Sequence, residues 1–277
     1  VIQTLAQGAA TILAAADPAR KVALSRALAA RWRAGDMAIG RASPPDRPAR
    51  LERPVLLPPR DMPRRRNFGA TAGRIALLHA LAHIELNAID LAWDLVARFG
   101  DAGLPRAFFN DWLCVAAEEA EHFELLRARL ATLGSAYGAL PAHDGLWEAA
   151  AATAHDPVAR LAIVPLVLEA RGLDVTPEMI RRLERADDPE SAAILVRIYE
   201  DEIGHVAVGH FWFERICRER GLNPEAAFHD RVRRYFKGGL KPPFNREARD
   251  KAGVPASYYE PLAWRASERE EPCAAAG

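Results

Sequence analysis

From residue 71 onward apolar residues recur every three or four positions, the repeat of an amphipathic helix, and they keep it almost to residue 221. The pattern predicts four long helices. The first covers 73–99 and is stopped by the glycines of 100–103. The second covers 105–133, with Pro105 acceptable in a first turn and Gly134 just past the end. The third opens at Asp156-Pro157 and runs to 171, where Gly172 and Pro177 are expected to bend or break it, with 177–186 continuing after a kink. The fourth starts after Asp188-Pro189 and ends near 220 at Gly221. The period-two alternation of strands is almost absent.

On either side the pattern changes. Residues 1–38 read as a small helical preface in which Asp17-Pro18 opens a stretch carrying Val22, Leu24, Leu28 and Trp32, closed by Gly35. Prolines 44, 45, 48, 54, 58, 59 and 63 exclude a regular helix or central strand, so 40–66 is expected to be an extended arm. After Gly221 come a short helical stretch, a Pro- and Gly-interrupted segment over 238–261 that should wrap the outside, and a frayed tail from Ser267. Three units follow: an N-terminal helix and arm (1–66), a bundle (67–221), and a C-terminal wrap and tail (222–277). Two short connections and one long one between four long helices predict an all-α four-helix bundle with one long crossover.

Composition narrows the class. Half of the 277 residues are hydrophobic and 27% are charged, which excludes a disordered or collagen-like chain. Lys plus Arg equals Asp plus Glu at 37 each, so no global field draws the chain to nucleic acid or an anionic membrane. Two local basic runs, Arg64-Arg65-Arg66 and Arg231-Val232-Arg233-Arg234, are the exceptions. Cys114, Cys217 and Cys273 are scattered and odd in number, as in a reducing compartment. The most apolar stretch, 77–96, carries His79, His83, Glu85 and Asp90, so no bilayer span is expected. The alanine-rich start lacks the basic residues of a signal peptide. A cytoplasmic protein is expected.

The chemistry lies on the apolar stripes. Helical spacing places Glu85 among Leu78, Leu81, Ala82, Ala88 and Ile89, and Glu119 and His122 among Phe108, Trp112, Val115 and Leu126. It places Glu169 with Ala162, Pro165 and Leu166, and Glu202 and His205 with Leu195, Ile198, Tyr199 and Val206. Each predicted helix thus points one Glu inward, and two add a His one turn later. Four carboxylates on one core must take up protons or hold cations, and two divalent ions would neutralise them. With 21 Glu and eight His in the chain, about 0.6 Glu-x-x-His matches are expected by chance. Two occur, in mid-helix, and Glu85 precedes Glu119 by 34 residues while Glu169 precedes Glu202 by 33. This is the di-metal carboxylate arrangement of helical bundles.

The constellation resembles the ferritin-like di-iron superfamily. More narrowly, His83-Ile84-Glu85-Leu86-Asn87-Ala88-Ile89-Asp90, Leu168-Glu169-Ala170-Arg171-Gly172-Leu173-Asp174 and Leu240-Lys241-Pro242-Pro243-Phe244-Asn245 resemble a bacterial family, domain of unknown function 455. The resemblance covers about 40–265. It implies that Glu119 and Glu202 bridge two metal ions, that Glu85 and Glu169 are terminal carboxylates, and that His122 and His205 hold one ion each. It also implies that Asp201, in Asp-Glu-x-x-His, fixes the tautomer of a ligand His across the bundle. Glu118 occupies the matching place in the second helix, where a solvated acidic face with Glu121 and Glu124 is the competing reading. Tyr199, one turn before Glu202, is a candidate hydrogen-bond donor near the metal or a packing residue.

The leading functional expectation is a non-haem di-iron, oxygen-activating oxidoreductase acting on an organic small molecule. Two iron ions, or manganese or a mixed pair, would be the cofactor. Molecular oxygen, a substrate and an electron donor would be its partners, in a monomer or dimer. One alternative is a ferritin-like protein handling iron or peroxide; another is a tRNA-associated hydroxylase or nucleic-acid binder using the basic runs. A second polar ladder, His79, His83, Asn87, Asp90 and Asp94, reads as a hydrogen-bonded network, with a zinc pair at His79 and His83 as the sharper alternative.

Overall fold

A computed structural model describes residues 4–35, 37–62 and 68–264. The Arg64–66 triplet and the tail from Ser267 lie outside the described residues. Within them the protein is all-α, with isolated bridges such as Leu56 to Ala142 and no strand. The helices are α1 (Leu5–Leu13), α2 (Pro18–Arg33), α3 (Thr71–Arg98), α4 (Arg106–Thr132), α5 (Gly145–Ala152), α6 (Pro157–Ile163), α7 (Ala170–Arg185), α8 (Pro189–Glu219), α9 (Pro224–Tyr235), α10 (Arg246–Lys251) and α11 (Ala256–Tyr259).

The Asp-Pro starts work as their chemistry dictates. Asp17 accepts a hydrogen bond from the Arg20 amide, Asp156 from those of Val158 and Ala159, and Asp188 from that of Ser191. Each following proline has no N–H left to satisfy. α3 pairs with α4 and α7 with α8, and α4 against α8 joins the two pairs. Helix α5, which the sequence pattern did not predict, lies in the connection between them.

The expected break at Gly172 and Pro177 is not there: α7 runs through both. The irregularity comes one turn earlier, where Val164–Glu169 forms a π-helical turn between α6 and α7. Pro165 cannot donate to the i−4 carbonyl, so the ladder widens around it. The Pro165 ring presses on α8 at Gly209, where any Cβ would collide with it. That contact sets the end of the turn, and so Glu169, against the α8 face that carries Glu202.

One apolar core runs from Leu5 and Trp32 through Trp93, Phe108 and Phe213 to Tyr259 and Leu262, so the N-terminal helices and the C-terminal wrap share it. Contrary to the sequence expectation, α3 is by length and composition apolar enough to cross a bilayer. In the fold it is the central helix, with Leu77 through Ala97 largely buried by protein. Cys114 is exposed and Cys217 is buried, both unpaired.

The second polar ladder is a buried network. Asp90 pairs with Lys21 of α2 and with Arg50 of the arm, at 2.8 Å for the latter. Asn87 accepts from Arg50 at 2.7 Å, and Asp94 receives Arg98 and the buried Arg160. His83 is hydrogen bonded through Nδ1 to the Tyr137 hydroxyl and through Nε2 to the His143 carbonyl. Burial, reinforced by Arg50, lowers its pKa to about 3 and keeps it neutral. The amides of Gly138 and Leu140 both point at His79 Nε2. With both nitrogens of His83 engaged, the pair does not present two free imidazoles to a zinc ion. Asp90→Ala strands Lys21 in the core and is expected to cost about 3–5 kcal/mol in urea unfolding; a loss below about 1 kcal/mol would mean that the network is dispensable.

Candidate metal centre

Glu85 comes from the middle of α3, Glu119 and His122 from α4, Glu169 from the end of the π-helical turn, and Glu202 and His205 from α8. Glu85, Glu119, His122 and His205 are buried, and single ligand atoms of Glu85, Glu119, His122 and Glu202 lie within 4.8 Å of one another. His122 Nδ1 is 3.4 Å from Glu85 and 3.5 Å from Glu119. His205 Nδ1 is 2.9 Å from Glu119 and 3.6 Å from Glu202. Glu169 stands outside the tight group of four but faces the charges of Glu202 and Glu119. The six side chains therefore surround one volume, with Glu119 touching both imidazoles.

Seven of their atoms are buried without a hydrogen-bond partner: Glu85 Oε2, both oxygens of Glu119, Glu169 Oε2, Glu202 Oε2 and the Nδ1 atoms of His122 and His205. Buried polar atoms are nearly always hydrogen bonded, so seven orphans around one point are what a site shaped for cations presents. Oxygen and imidazole donors in this ratio suit divalent first-row metals.

The far sides of the imidazoles are held. His122 Nε2 donates to Asp201 at 3.0 Å, and His205 Nε2 donates to Glu118 at 2.8 Å. The residues preceding Glu119 and Glu202 thus each reach across to the opposite helix's His, and both rings turn Nδ1 inward. Glu118 takes part in this exchange, although it is 43% exposed at its side chain. Arg197, unnoticed in the sequence, donates to Asp201 at 2.8 Å; its i,i+4 spacing to Asp201 was the available signal. Asp201→Asn is expected to weaken metal binding about 10- to 100-fold in a chelator competition, and unchanged affinity would remove it from the site.

For Tyr199 the structure supports the packing alternative. Its hydroxyl accepts from Asn245 Nδ2 at 2.9 Å, so it anchors the C-terminal wrap and bonds to none of the six ligands. A large ring at the edge of the stripe reaches past the ligand layer to the neighbouring segment, which helical projection does not show.

The site is electrostatically tense. Burial, and then the charge of Glu119, push the Glu85 and Glu202 carboxyls up; burial and Glu202 do the same to Glu169. Burial opposes charge on Glu119 as well, but the two imidazoles outweigh it and hold that carboxyl below the usual range. Burial pulls His122 down, yet Glu119 and Glu85 overcome it and raise its pKa to about 11. His205 is raised well above the usual imidazole value in the same way. Without cations these groups hold protons that cations would displace.

Over residues 14–260 the sequence matches the family described as "Protein of unknown function (DUF455)". The chain belongs to the DUF455 family. An "Uncharacterized protein" of Haemophilus influenzae is 45% identical over 211 residues, which are 73% of this DUF455 chain and 72% of the relative. No solved structure matches it.

Beside the ligands of this DUF455 protein lies a cavity of about 210 Å³ with Glu85, Glu169 and Glu202 in its wall. The rest is mainly apolar, including Leu81, Ile84, Ala88, Leu195 and Ile198. Of the stripe residues flanking the ligands, Leu81 and Ile198 line it, whereas Leu78, Trp112, Val115 and Leu166 are packed in the core.

Proposed function

We propose that this protein is a ferritin-like di-metal carboxylate oxidoreductase that uses molecular oxygen on an organic substrate. The observation that carries the reading is the convergence of seven unpartnered buried atoms from Glu85, Glu119, His122, Glu169, Glu202 and His205. These six residues would hold two divalent ions, iron by the superfamily resemblance, whose +4 charge balances four carboxylates. Bound ferrous ions would supply the two electrons that activate oxygen. The chain supplies the rest. Asp201 and Glu118 hold the imidazoles with Nδ1 inward, and the four helices fix the carboxylates before any ion arrives. The apolar cavity keeps bulk water from the face of Glu85, Glu169 and Glu202. That cavity favours an organic substrate over iron storage, which needs no apolar chamber at the ligands.

Elemental analysis of protein produced with iron, followed by oxygen uptake after reduction, tests the reading. About two irons per chain with oxygen consumption are expected. Folded protein that takes up neither iron nor manganese would withdraw it. Iron accumulating far beyond two per chain, in a large shell, would replace it with the storage reading.

A further inference from the structure

We infer that the ligand of this site is an anionic amphiphile, with an apolar part of about eight carbons in the cavity at Glu85, Glu169 and Glu202 and a carboxylate or phosphate head in the basic cavity beneath the C-terminal wrap. The inference rests on the proposed metal centre for where the ligand would react, but binding can be measured apart from metal or turnover.

The first observation is Gly172. It lines the apolar cavity from within α7, where glycine is the poorest residue after proline. Its backbone is not left-handed, and a Cβ there would meet nothing within 4 Å. Neither conformation nor close packing calls for glycine at this point; what its missing side chain leaves is room in the cavity. A dry cavity of about 150 Å³ admits benzene, so about 210 Å³ takes a chain of about eight carbons.

The second observation is the neighbouring cavity of about 780 Å³, formed between the start of α7 and residues 236–249 with Trp264. Leu168 and Arg171 belong to the walls of both cavities. Among the described residues its charged ones are Arg171, Lys237, Lys241 and Arg249 against a single acid, Asp174, in a chain whose net charge is zero. Asp174 is already taken by Arg249, at 2.9 and 2.8 Å. Arg249 is itself 2% exposed, and its Nη1 is buried without a hydrogen-bond partner. A buried guanidinium nitrogen with no acceptor, in the wall of a cavity with an excess of cations, calls for an anion. Arg171 donates to the carbonyl of Lys241 at 2.7 Å, so a residue shared by both walls also ties the wrap in place.

Calorimetric titration of the full chain with octanoate, octyl phosphate, 1-octanol, acetate and inorganic phosphate is the test. One of the two octyl anions is expected to bind at least about tenfold more tightly than 1-octanol, with no measurable binding of acetate or phosphate. The preferred anion identifies the head as carboxylate or phosphate. Gly172→Leu should fill the chamber and abolish octyl-anion binding while melting no lower than the wild type and keeping its metal content. Lys237→Ala with Lys241→Ala should weaken the anion but not 1-octanol. Equal affinity for octyl anion and alcohol, or undiminished binding to Gly172→Leu, overturns the inference. Octyl-anion binding to protein that takes up no metal would leave it standing and overturn only the proposed metal centre.

Discussion

Glu119→Ala is expected to reduce bound metal from about two ions per chain to none while the helices persist. Glu119 is fully buried, neither of its oxygens has a hydrogen-bond partner, and among the four carboxylates it alone approaches both imidazoles. Without it the other three carboxylates carry too little charge to balance two divalent ions. The variant should also weaken the metal-free protein, because burial then acts on His122 and His205 without their main counter-charge. Breaking such a buried pair costs about 3–5 kcal/mol. Glu85→Gln makes the contrast. Burial already raises the Glu85 carboxyl, so an amide there should cost the metal-free protein little or even stabilise it, while metal affinity still falls. Elemental analysis with urea unfolding of chelator-treated protein reads both effects. Retention of two ions by Glu119→Ala would refute the assignment.

The stabilisation conferred by metal is expected to grow as pH rises from about 5.5 to about 8. Glu85, Glu169 and Glu202 have folded pKa values raised above 4.5, so the native state binds the extra protons and stability falls as pH rises beyond that value. His122 and His205 are raised above 6.5, to about 11 for His122, so their stabilising contribution is present below 6.5 and is lost as pH rises. Glu119 is depressed, and its contribution is lost only as pH falls below 4.5. The five raised groups thus act in one direction as pH rises. Each excess native proton costs about 1.4 kcal/mol per pH unit. Cations reverse the balance because they bind the deprotonated ligands. Melting temperatures with and without metal, taken across that range, should therefore diverge upward, with protons released on binding. A metal-induced shift that is flat with pH would place the ion away from these six residues.

The helices were legible because each carries its own signals. Asp17-Pro18, Asp156-Pro157 and Asp188-Pro189 cap locally, and the apolar stripes repeat with the helical period, so α2, α3, α4 and α8 begin and end within a few residues of expectation. The π-helical turn was not legible. A proline can break, kink or widen a helix, and which of these occurs at Pro165 depends on α8 presenting Gly209 to its ring. Pro177 carries the same local signal yet sits inside α7. The hydrogen-bond partner of Tyr199 was not legible for a related reason, since Asn245 is 46 residues away in a segment whose path no local pattern specifies.

The sequence by itself determined the all-helical class and the candidate ligands, because helical spacing alone decides which residues share a stripe, and a Glu or His inside an apolar stripe stands out there. Tertiary structure alone decided what those stripes face. Only the packing of α4 against α8 brings Glu119 to His205, Asp201 to His122 and Glu118 to His205. Only the fold of the wrap onto α7 places Arg249 beside Asp174 and opens a basic cavity next to an apolar one. Those contacts join residues tens of positions apart, and their energies arise from burial and charge shared between elements, which no single stretch of sequence contains.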